Sequence, residues 1–391
     1  ELRATQDVCL RGPSHSVAAA QTRTGDASVV AAGVLPNPSI VASHQETLTG
    51  VTDRETIVGL SVPIGVGGRY FLLQDAAQAR SEQATATASA TLLDAGLDFR
   101  VAYAKAVLDQ ARLETRIKHQ ETLDQLSAII EGREKSGEAS GYDLSRQQMQ
   151  ARLHHLQVQT AQGEAQASRT RLDGWLSEPL ELAKPDPTTL GNFGAPQPLD
   201  VSSATPRIRS LRAEARASTI EGRAARRRWV PDIQVSAGYR GVGIGSSTGH
   251  GISLGLTVPL TFFDHGQGEA AVADAAQATA EAEAERVLRE QDAVLRAARS
   301  RLAALEQAVV EAEVATVEAG ELEMSVQRLY RAGEVTITEL LEALQNVETA
   351  RLSKFELAEE LVRARLAVMR ASGTMFNETL DRACGVAGKA R

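Results

Sequence analysis

Aromatic side chains make up only 4% of the 391 residues, although hydrophobic residues reach 43%. The apolar content is therefore mostly Ala, Leu and Val, and a globular core built on large rings is not expected. Such a composition, rich in Arg, Glu and Gln as well, points to long helices packed at close range. No uninterrupted apolar run of transmembrane-helix length occurs, which removes membrane-spanning helices but not a β-barrel, whose strands alternate. The net charge of −8 argues against nucleic acid as a partner. Recognisable enzyme motifs are lacking too. His15, His44, His119, His154, His155, His250 and His265 form no HExxH or paired-ligand spacing, and there is no GxSxG and no phosphate-binding glycine loop. We expect no catalytic residue, no cofactor and no metal site. The chain opens at Glu1 without Met, as a processed product would.

What is present is a duplication. Pro13 and Pro38 recur as Pro206 and Pro231, and Leu60-Ser61-Val62-Pro63-Ile64 recurs as Leu256-Thr257-Val258-Pro259-Leu260. Asp75-Ala76-Ala77-Gln78-Ala79 recurs as Asp274-Ala275-Ala276-Gln277-Ala278, and Lys135-Ser136-Gly137-Glu138 as Arg331-Ala332-Gly333-Glu334. The matches keep one order and nearly one offset. The expected organisation is a first repeat over 13–177, a proline-rich connector over 178–205, a second repeat over 206–373 and an irregular tail over 374–391.

Each repeat reads as a helix, two short strands, a very long helix, a glycine-centred turn and another long helix. Period-two alternation marks strands at 56–64, 232–240 and 252–260, with a weaker one at 38–46. Gly- and Ser/Thr-rich loops, Thr47–Glu55 and Gly241–Gly249, join them as hairpins. Val58, Leu60, Val62, Leu254, Leu256 and Val258 fall on apolar faces. From about Tyr70 to Gly132, and again from Glu269 to Ala332, no proline and almost no glycine interrupts a helical pattern. At about 1.5 Å per residue each stretch would form a rod of roughly 90–100 Å, which needs coiled-coil partners.

Four strands cannot close a barrel alone, and their apolar faces are too regular to be left in water. A sheet tolerates lipid only when every backbone group is paired. Three copies would supply twelve strands with no free edge, continued by a cylinder of helices.

The two repeats, with Pro-Asn-Pro at 36–38 and Trp-Val-Pro-Asp at 229–232, resemble the TolC-like outer membrane efflux proteins. The Pro-Asn-Pro entry is closest in look to members serving heavy-metal efflux pumps. The resemblance implies a mixed α/β membrane protein, a homotrimer with a 12-stranded β-barrel (four strands per chain) continued by an α-helical coiled-coil barrel. It implies an outer-membrane location with a large periplasmic part, outer-membrane lipid around the strands, and docking to a periplasmic adaptor and an inner-membrane pump. The function implied is a passive export conduit, not an enzyme. The family's tip pattern places Tyr330, Glu339 and Glu342 at a pore constriction, where stacked carboxylate rings would prefer cations. Val335 stands where the family's best-known gate has Arg. The tips that would meet the adaptor are Lys135, Gly137 and Glu138 in one turn and Arg331, Gly333 and Glu334 in the other. On this reading Cys9 and Cys384 face an oxidising compartment, where they could pair or remain two thiols. The competing reading is a soluble periplasmic coiled-coil adaptor or scaffold, although two matched strand pairs are more than an adaptor would need.

Overall fold

The computed structural model describes residues 2–50, 53–176, 205–375 and 378–384. Helix α1 (Leu2–Arg11) and α2 (Pro13–Ala32) lead into strands β1 (Ser39–Glu46) and β2 (Asp53–Ile64). Helices α3 (Arg69–Lys135) and α4 (Gly141–Asp173) follow. Helix α5 (Pro206–Arg226) starts the same series again, with a short 3-10 turn at Arg227–Trp229 before β3 (Ile233–Ile244) and β4 (Ser247–Thr257). Then come α6 (Gln267–Ala332), α7 (Ile337–Ser372) and the short α8 (Glu378–Ala383). The long helices match closely, 67 residues for α3 and 66 for α6.

Three expectations need correction. The Gly241–Gly249 stretch is not a loop: β3 runs through Ile244 and β4 starts at Ser247, leaving a two-residue turn with Gly245 at φ 58°. Those glycines sit in the ladder because the strands pair backbone to backbone through them. Conversely, Val258 lies just past β4, which ends at Thr257, so it is not a strand residue. The tail beyond Gly373 is not wholly irregular, since α8 forms there. The connector read at 178–205 lies outside the described residues except for Thr205.

The chain divides into two compact units. One comprises residues 19–88 and 206–287 and holds the sheet; the other comprises 1–18, 89–205 and 288–391. The sheet is an antiparallel meander in the order β1-β2-β3-β4, so β2 and β3 pair one repeat with the other. At its centre Gly59 faces Gly238. A Cβ on Gly59 would stand 2.6 Å from the Ala237 carbonyl oxygen, and one on Gly238 would stand 2.7 Å from Gly59 Cα. Only glycine permits that approach.

In the other unit, α3 and α7 share an apolar core of Leu93, Leu97, Leu108, Val362, Leu366 and Met369. Cys9 and Cys384 are part of it and are joined by a disulfide. A second core of Leu123, Leu126, Ile130, Val326, Leu340 and Leu344 underlies the two turns. Helix α4 buries Gln147, Ala151, His154, Ala161, Ala165, Ser168 and Leu172, steps of three, four or seven residues that make a coiled-coil seam.

Candidate functional site: a two-faced sheet and a pair of turns

Residues directly opposite in an antiparallel ladder lie on one face. Register therefore sorts the sheet. One face carries the rows Ile40–Leu60–Ala237–Leu254 and Ala42–Val58–Tyr239–Ile252, then Val62–Val235–Leu256. The other carries Ser39–Ser61–Ser236–Gly255 and Val41–Gly59–Gly238–Ser253, with Glu55 and Arg240 ion-paired at 2.7 Å. The apolar face lies open, with Leu254 80% exposed and Val58, Leu60, Val62 and Leu256 exposed beside it. Among the described residues β1 and β4 have no outer neighbour, so two backbone edges are also unpaired.

An aromatic group that the sequence reading overlooked flanks one end of these strands. Trp229 precedes β3, Phe71 follows β2, and Phe262 and Phe263 follow β4, all exposed. Thr261 Oγ1 donates to the Trp229 carbonyl at 3.1 Å, tying the two aromatic stretches together. In transmembrane β-barrels, girdles of aromatic residues flank the apolar band.

The turns between long helices are near copies. Gly137 and Gly333 both take φ 80°, the left-handed value that ends a helix. The Glu138 N–H donates to the Arg133 carbonyl at 2.8 Å, and the Glu334 N–H to the Leu329 carbonyl at 2.9 Å. Ser140 then caps α4 by accepting from the Asp143 N–H at 3.1 Å. Thr336 caps α7 with a full capping box: it accepts from the Glu339 N–H, and the Glu339 carboxylate takes the Thr336 N–H at 2.7 Å. Lys135, Gly137, Glu138, Arg331, Gly333 and Glu334 are all exposed. The turns are bound side by side, Arg133 Nη2 donating to the Arg331 carbonyl at 3.2 Å and Arg146 Nη1 to Thr338 Oγ1 at 2.7 Å.

Glu339 and Glu342 are exposed on the first turns of α7. The backbone and hydroxyl hydrogen bonds from Thr336 hold the Glu339 carboxyl below its ordinary range. Tyr330 is buried instead, only 8% exposed within the core beneath the turns, with the Arg133 guanidinium 4.9 Å from its ring centre. Half-buried Val335 packs against the same core, so this position anchors the turn rather than reaching across it.

The histidines show no ligand spacing along the chain, yet His119 of α3, His154 of α4 and Glu348 of α7 converge as a buried cluster of potential metal ligands. Linear spacing misses it because three helices contribute one residue each. The available signal was a histidine at a seam position of α4, where Ala and Leu are the rule.

Residues 200–374 match the family described as Outer membrane efflux protein. The resemblance noted in the sequence holds there at the level of sequence, and in fold it extends over nearly the whole chain. A solved structure of CusC covers 96% of this chain and 92% of its own at TM-score 0.79 and 15% identity. The outer membrane protein VceC from Vibrio cholerae covers 96% and 97% at TM-score 0.77 and 17% identity. The nickel-cobalt-cadmium resistance protein NccC of Alcaligenes xylosoxydans xylosoxydans is 24% identical over 308 residues, spanning 75% of this chain and 68% of its own. Outer-membrane efflux channels are thus what this chain resembles in both sequence and fold.

Proposed function

We propose that the chain is one subunit of a homotrimeric outer-membrane channel that passes substrate outward without chemistry. The observation that carries this reading is the sheet. It has a band of three apolar rows on one face, a more polar opposite face and two unpaired edges, an arrangement stable neither in water nor in lipid as a single copy. Three copies joined edge to edge would give a closed twelve-stranded barrel with Leu254 and Leu256 toward lipid and Ser236 and Ser253 toward the lumen. Exposed apolar residues of the long helices, such as Val310, Val314 and Val317 of α6, would pair between copies in the periplasm. The exposed turns at Gly137 and Gly333 are offered as the surface that meets a periplasmic adaptor, which an inner-membrane pump would complete. Glu339 and Glu342 would ring the mouth with carboxylates, and Tyr330 would brace that ring from within the core. NccC is named for resistance to metal ions, which makes divalent metal cations the first cargo class to test.

The test is membrane fractionation followed by unheated gel electrophoresis. The channel reading expects an outer-membrane protein that needs detergent and migrates as a trimer until heated. A monomer soluble without detergent would establish the adaptor or scaffold reading instead.

A further inference from the structure

The cluster on α3, α4 and α7 has the geometry of a cation site. His154 Nε2 stands 2.9 Å from Glu348 Oε1, and His119 Nε2 stands 3.6 Å from Glu348 Oε2. The two imidazole rings are 4.7 Å apart between centres. The three potential ligand atoms all lie within 4.8 Å of one another, and all three residues are buried. Ligands arranged tetrahedrally around an ion at about 2.0–2.1 Å stand roughly 3.3 Å apart, so small side-chain movements bring them to one centre.

The hydrogen-bond polarity points the same way. Gln120 Nε2 donates to Asp124 Oδ1 at 2.8 Å, which turns the amide oxygen toward His154. That oxygen lies 2.9 Å from His154 Nδ1, so Nδ1 carries the proton and donates. In a neutral imidazole, Nε2 then holds a lone pair, and here it faces a carboxylate at hydrogen-bond distance. Two electron-rich atoms at that distance need a proton or a metal ion between them. An imidazole with one nitrogen tethered to an outer acceptor and the other turned inward is the arrangement metal-binding histidines use. Arg116 Nη1 is 3.7 Å from Glu348 Oε1, but its hydrogen bond goes outward to Gln157 Oε1 at 2.7 Å. It lowers the local negative charge without filling the centre.

We propose that His119, His154 and Glu348 form a binding site for one divalent transition-metal ion per chain, with Gln120 as the residue that positions His154. Two imidazoles and a carboxylate favour Zn²⁺, Co²⁺ or Ni²⁺ over Mg²⁺ and Ca²⁺, which take oxygen ligands. The ion clasps three helices beneath the two turns and makes their packing depend on free transition metal. The site is independent of the channel reading, because no part of it uses the sheet or a second copy.

The test uses the full chain in detergent, stripped of metal and titrated with Co²⁺ and Zn²⁺. The expected result is one ion per chain, visible Co²⁺ bands of a four- or five-coordinate nitrogen–oxygen site, and a higher melting temperature with Zn²⁺ than with Mg²⁺. His119→Gln and Glu348→Gln should each weaken binding by about 100-fold or more, Gln120→Ala by about 10–100-fold, and His155→Gln should change nothing. Where a ligand variant fails to fold, X-ray absorption of the Zn²⁺-loaded native chain decides. Two imidazoles and a carboxylate at about 2.0–2.2 Å support the site. No binding to the native chain, binding that survives His119→Gln and Glu348→Gln unchanged, or an all-oxygen six-coordinate ion overturns it.

Discussion

Single side chains decide whether charge can sit inside the helical packing. Arg112 of α3 donates to Asp109 at 2.8 Å and to Glu359 of α7 at 2.9 Å, and the two acids' side chains are only 2% and 14% exposed. Burial pushes the Glu359 carboxyl upward, but Arg112, Arg363 and Lys105 outweigh it, and the group lies below its ordinary value of 4.5. A carboxyl depressed in the folded state stabilises above its unfolded pKa, and that contribution fades as pH falls through the folded value. Arg112→Met removes one of the cations that each of two buried acids holds, leaving Lys105 on Asp109 and Arg363 on Glu359, and should cost about 2–4 kcal/mol at neutral pH. The cost should shrink below about pH 4.5, as Glu359 takes up a proton in the variant. Urea unfolding of native and variant protein across that range checks both the size and the sign.

Residues of this kind were not legible in advance. Arg112 and Glu359 are ordinary helix residues until α3 and α7 are laid together, and the same holds for His119, His154 and Glu348. Pairings between distant helices leave no local spacing to read.

At the scale of elements, the sequence was far more informative. Two long helices without proline, two glycine turns with capping residues and four alternating strands follow from local rules, and all are present. Two boundaries were misread. Gly241, Gly243, Gly249 and Gly251 look like loop residues, yet they pair in register across β3 and β4, because ladder bonds use backbone and ask nothing of side chains. Val258 was assigned to a strand for its apolar side chain, but β4 ends at Thr257, whereas its counterpart Val62 lies within β2.

The sheet's register yields a direct test. Leu254 lies in the middle row of the apolar face, and its neighbour Ser253 lies on the polar face. Leu254→Arg should cost roughly 2–4 kcal/mol in the membrane, whereas Ser253→Arg should be tolerated. Folding yield into vesicles measures both. Equal damage from the two substitutions would show that the faces are not lipid and lumen.

For the whole molecule, the disulfide closes a loop with a sequence separation of 375 between buried Cys9 and Cys384. It belongs to a core that also includes Met369 and Met375, and such a bond persists in an oxidising compartment. Replacing both cysteines with Ser should lower stability by about 2–5 kcal/mol and leave assembly unchanged. Thermal melting under non-reducing conditions, beside the reduced native protein, reads the loss. Native and variant melting at the same temperature would mean that the bond does not form.

If three chains enclose a conducting path, the purified protein carries ions across a membrane. The most direct measurement is current through the purified protein in a planar lipid bilayer. We predict discrete openings with a preference for cations. Glu339→Gln combined with Glu342→Gln should reduce that preference while leaving assembly intact, because Gln can still complete the capping box with Thr336. Purified protein that inserts into the bilayer and carries no current would contradict the account.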